Sequence, residues 1–127
     1  MNTFWIFKTG AAEMEVRKEK LTYEKTYELI GCKWVERLSF GDYQFFMDEE
    51  PKNKPNNACL EKALGISIKG DCLVCKMTTD NEGESIFHDM DMDLGDFHLF
   101  IVEENQRKMM RMAARYANAH VINIGGR

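Results

Sequence analysis

Residues 12–18 alternate apolar and charged positions, with Met14 and Val16 set against Glu13, Glu15 and Arg17. That two-residue period predicts a half-buried strand. Before it, the aromatic-rich stretch over residues 3–8 predicts a first strand, and Thr9 with Gly10 a hairpin turn between the two. Further strands are expected over residues 33–39, 43–47 and 72–77. Gly41 and Asp42 turn the third into the fourth, and residues 80–83 form a turn after the fifth. Helical spacing takes over at Tyr23, Tyr27 and Ile30, with Thr22 as N-cap and Gly31 as the left-handed stop. A second short helix is expected over residues 58–64 behind Asn57, after a loop over residues 48–57 that holds both prolines and no apolar residue.

The last third changes character. Residues 96–118 carry no Gly or Pro and are rich in Met, Ala, Arg and Glu, which predicts one long helix capped by Asp96 and ending near Asn118. Residues 121–124, Val-Ile-Asn-Ile, read as a final short strand, and Gly125–Gly126 as a flexible end. The expected fold class is therefore α+β: a small antiparallel or mixed sheet with two short helices and one long C-terminal helix. It forms a single ligand-binding domain over residues 1–127, with a sheet-rich part over 1–88 and the helix and tail over 96–127.

Composition narrows the function. The net charge of −4 argues against a duplex nucleic-acid binder, which needs a strongly basic surface. No run of about 18 apolar residues exists to cross a membrane. The N-terminus lacks the basic lead and apolar stretch of a secretion signal, so a cytoplasmic location is expected. In a reducing compartment the four cysteines are expected as free thiols.

Arg107, Arg111 and Arg115 carry the most chemical information. Residues four apart advance about 40° on a helix, so the three share an arc of roughly 80° and span about 12 Å. Met109, Met110 and Met112 fall on the other side and would supply core or oligomer contacts. A guanidinium is a planar fork that grips phosphate through two hydrogen bonds. Two forks one turn apart suit a pyrophosphate or two phosphates of one ligand. The competing reading is a solvated face in which Arg107 pairs with Glu103.

Other patterns carry less. The acidic run Asp89, Asp91, Asp93 resembles the start of a calcium loop, but position six is Leu94 and position twelve is Phe100 where Gly and Glu are required. Cys72 and Cys75 form a CxxC inside an expected strand, where residues three apart face opposite sides, so they read as core residues. His88, His98 and His120 do not form a ligand set. No metal or other cofactor is implied.

From Thr22 to Lys76, the order of a helix ending Leu29-Ile30-Gly31-Cys32, a strand, Gly41-Asp42, a strand, an acidic loop, the Asn57-Ala58-Cys59 helix and a strand after Ile68-Lys69-Gly70 resembles a family of small phage-encoded domains. That family is similar to the Thoeris anti-defence 1 sponges, and the likeness covers roughly the first 80 residues. The resemblance implies non-catalytic capture of cyclic ADP-ribose isomers, and possibly cyclic oligonucleotides, by a homodimer or larger homo-oligomer in the host cytoplasm. It also implies that the arginines spaced four apart on the last helix hold phosphate, here Arg107, Arg111 and Arg115, with Phe87 stacking on a base and His88 beside it. The expected function is therefore sequestration of a small cyclic nucleotide immune signal. The alternatives are an acidic inhibitor that binds a host enzyme through Asp48–Glu50 and Asp89–Asp93, and a small phosphodiesterase, for which no nucleophile–base pair is visible.

Overall fold

In a computed structural model, residues 1–50 and 52–125 are described, with side chains as far as Arg115. The elements are β1 (Asn2–Phe7), β2 (Glu15–Glu19), α1 (Tyr23–Ile30), β3 (Val35–Phe40), β4 (Tyr43–Asp48), α2 (Ala58–Leu64), β5 (Cys72–Thr79), β6 (Ser85–His88) and α3 (Leu94–Gly125). The fold is α+β, with six antiparallel strands and three helices among the described residues. The chain divides into two units, Met1–Met92 and Asp93–Arg127.

The first unit is built on β5. Strand order is β2-β1-β5-β4-β3. β5 pairs β4 along one edge, and along the other it pairs β1 through Cys72–Val74 and then β6 through Lys76–Thr79. β5 is thus the most enclosed strand, which explains its apolar run with cysteines on both faces. One face of the sheet buries Phe4, Ile6, Phe46, Leu73, Cys75 and Met77 under Leu21 and Ile30. Each large apolar side chain removed from water there contributes about 1.5–3 kcal/mol. Cys72 and Val74 occupy the opposite face and are equally buried. All four cysteines are free thiols.

Local chemistry sets the helix ends. The Thr22 hydroxyl accepts the Lys25 N–H at 3.1 Å, and Gly31, at φ 73°, donates its N–H to the Tyr27 carbonyl. Asn57 does more than cap α2. Its Oδ1 accepts the Leu60 N–H at 3.0 Å, while its Nδ2 donates to the carbonyls of Phe7 and Gly70 at 2.8 and 2.9 Å. One buried amide therefore ties α2 to the end of β1 and the approach to β5.

The structure departs from the expected elements at several points. The second strand begins at Glu15 rather than residue 12, because residues 8–14 form a longer connection than a two-residue turn. Ser85–His88 is a strand, β6, that four residues of local pattern do not announce; its pairing comes from β5, remote in the chain. The cap of α3 is Asp93, whose Oδ1 accepts the Asp96 N–H at 2.8 Å, so the helix starts at Leu94 and not behind Asp96. Residues 121–124 are helical and not a strand, and Asn118 does not end α3, which runs to Gly125. No described residue other than glycine takes the left-handed turn that stops α1 at Gly31, and the helix continues through Asn118. Gly126 lies outside the described residues.

Candidate functional site

The second unit consists of α3. Arg107, Arg111 and Arg115 are exposed on one face of it. Arg107 bonds to the Glu104 carboxylate and sits 3.9 Å from that of Glu103. These are exposed contacts between residues three and four apart, worth about 0.3–0.5 kcal/mol each. Arg107 is therefore held only weakly by its neighbours. Arg111 and Arg115 make no ion pair among the described residues. The opposite side of the helix does not form core as expected: Met109, Met110 and Met112 are 69%, 70% and 61% exposed. From Asn105 to Arg115 every residue is exposed.

Phe87 and His88 are neighbours on β6 and face opposite sides of the sheet. Phe87 pairs across from Met77 and packs on the core face. Its ring meets Tyr23 edge-on, 5.7 Å between centroids. It lines an open cleft of about 540 Å³ with Tyr23, Glu24, Glu84 and Ser85. His88 lies across from Lys76, and its Nε2 is 2.6 Å from the Thr78 hydroxyl. The two residues therefore do not converge on one ligand. A smaller cleft of about 230 Å³ lies beside Thr9, Lys54 and Asp71. Neither cleft has an arginine in its lining.

The acidic stretches are largely occupied within the fold. Asp48 pairs with Lys54 at 2.8 Å and accepts the Glu50 N–H, and the Lys54 contact holds its carboxyl below the usual carboxylate range. Asp89 accepts the Thr3 N–H at 2.7 Å. Asp91 accepts the Tyr43 hydroxyl and the Lys76 ammonium, and the Tyr43 bond leads in lowering its pKa. Burial, reinforced by Asp91, pushes the Tyr43 phenol well above its ordinary value. Asp48 is buried, whereas Asp89 and Asp91 fasten the fold while staying exposed to solvent. Sequence pattern marked the run of acids but could not show that Tyr43 and Lys76, cross-strand partners on β4 and β5, stand ready to receive Asp91.

The thiols are subdued. Burial raises the Cys75 pKa to about 12 and pushes Cys72 higher still. Among the described residues, no three His, Cys, Asp or Glu side chains gather as a metal site. Among the described residues no helix is long and apolar enough to cross a membrane. Comparison with known protein families, with curated proteins and with solved structures returned no match.

Proposed function

We propose that this protein captures a small phosphate-bearing ligand of the cyclic nucleotide class without altering it, and so withholds an immune signal from its receptor in the host cytoplasm. The observation that carries the reading is the pair Arg111 and Arg115: both are exposed, neither is in an ion pair among the described residues, and they stand one helical turn apart. Their roots stand about 6 Å apart along the axis, within reach of two long side chains converging on linked phosphates. Arg107 joins them by releasing its weak contacts to Glu103 and Glu104. The exposed methionine side of α3 offers a contact for a second copy of the chain that leaves the arginine side free to bind. Binding without bond cleavage fits buried, high-pKa thiols, which are poor nucleophiles.

The test is direct. Purified protein is mixed with cyclic ADP-ribose isomers, separated from free ligand, then heated, and the released nucleotide is identified by mass. Recovery of the intact cyclic compound supports capture. Recovery of an opened product identifies an enzyme, and no retained nucleotide removes the proposal.

A further inference from the structure

The cleft beside Phe87 has a charge character opposite to that of α3. Its lining contains two carboxylates, Glu24 and Glu84, and no lysine or arginine. Neither carboxylate forms an ion pair among the described residues, while the adjacent Lys25 is directed to Glu19 at 3.5 Å. Leu21 and two aromatic rings form the apolar part of the cleft. Tyr23 stands edge-on to Phe87, at 70° between planes, and edge-on to Phe46 behind it, 6.2 Å away. The Tyr23 hydroxyl is fixed by Ser85 at 2.9 Å and by the Met77 sulfur at 3.6 Å. The ring orientations are therefore set before any ligand arrives.

Ring faces carry negative quadrupole charge and attract a cation within about 6 Å. Two carboxylates at the rim add attraction of the same sign and repel phosphate. A bare metal ion needs several converging oxygen ligands, and no such group occurs among the described residues. An alkylammonium group, with apolar carbons around a diffuse charge, matches both the rings and the acids. We propose that the Tyr23–Phe87 cleft binds a small organic ammonium ion, with Glu24 and Glu84 supplying the counter-charge. Glu24 also lies in the first turn of α1, where a carboxylate favours the helix dipole; Glu84 has no such structural role, so it is the stronger marker of the site.

This site shares no residue with the arginine ridge, and one experiment separates them. Amide resonances of ¹⁵N-labelled protein are followed while Nα-acetyl-trimethyllysine amide, and separately adenosine monophosphate, are added at constant ionic strength. The expected result is saturable shifts at Tyr23, Glu84, Ser85 and Phe87 with the trimethylammonium compound. Affinity should fall roughly fivefold or more in the Glu24→Gln/Glu84→Gln variant, as expected for losing two exposed charge contacts. It should be unchanged in Arg111→Glu. The same spectra report whether each variant is folded. Shifts that never saturate, equal affinity in the double glutamine variant, or movement of the same four residues by adenosine monophosphate alone would each overturn the assignment.

Discussion

The hydroxyl of Tyr43 donates to the carboxylate of Asp91, joining the middle of the sheet to a segment 48 residues later in the chain. Lys76, across from Tyr43 on β5, holds the other carboxylate oxygen at 2.9 Å. This trio makes stability depend on pH at both ends of the scale. The Asp91 pKa is lowered, so its contribution is present above the ordinary carboxylate range, about 4, and is lost as pH falls through the lower folded value. The Tyr43 pKa is raised, so its contribution is present below about 10 and is lost as pH rises beyond that. Urea midpoints measured from pH 3 to 11 should show both limbs. Asp91→Asn should flatten the acid limb, and Tyr43→Phe should remove the alkaline one at a cost near neutrality of about 1 kcal/mol. Unchanged limbs in both variants would show that the trio does not couple to folding.

Asn57 is the most exacting polar residue of the fold. It is 1% exposed and makes three hydrogen bonds to backbone groups of three different segments. Asn57→Ala removes a cap and strands two buried carbonyls, at a combined cost of roughly 2–4 kcal/mol. Asn57→Asp keeps the cap but sets a carboxylate against the Phe7 and Gly70 carbonyls, and should be no more stable than the alanine variant. Chemical denaturation of the three proteins gives the ranking; an aspartate variant near wild type would show that the two donated bonds carry little.

How far the sequence foretold this fold depends on whether the signal was local. Thr22 and Gly31 bound α1 at the expected residues, because both act within one turn of the helix. Asn57 was recognisable as a cap, yet its bonds to Phe7 and Gly70 join residues 50 and 13 positions away, which no window reveals. β6 escaped for the same reason. The arginine ridge was legible because helical period alone puts the three side chains on one face. The opposed directions of Phe87 and His88 followed only once Ser85–His88 was known to be a strand.

Thiol reactivity should be graded by burial. Cys32 is half-buried, whereas Cys59, Cys72 and Cys75 are buried. Burial raises the pKa of all four, most strongly for Cys72 and Cys75. At pH 8, iodoacetamide followed by mass analysis should modify Cys32 first and leave Cys72 and Cys75 untouched until urea unfolds the sheet. Early alkylation of Cys75 in native protein would contradict the enclosure of β5 between its neighbours.

The arginines should separate into two classes. Arg111→Glu should abolish capture of a cyclic nucleotide, because it removes a fork and places a like charge beside phosphate. Arg107→Ala should weaken it less, since part of its charge is already answered by Glu103 and Glu104. Each site is exposed, so stability should change by no more than about 0.5 kcal/mol. Calorimetric titration beside a thermal melt distinguishes the two effects. Equal affinity for wild type and Arg111→Glu would remove the ridge as the binding element.

Met109, Met110 and Met112 set the last expectation. An isolated helix gains little from propensity alone, and most helices hold because an apolar face is covered. Here three methionines are each more than 60% exposed within a stretch where every residue faces solvent. Burying one such side chain contributes about 1.5–3 kcal/mol, and two copies meeting through this side would bury three from each. Sedimentation equilibrium should therefore show a species of twice the chain mass. Met109→Glu/Met110→Glu should shift it to the monomer and lower the helical signal at 222 nm, because the uncovered half of α3 frays. A wild-type monomer with full helicity at high concentration would mean that α3 stands without a partner, and the self-association would be withdrawn.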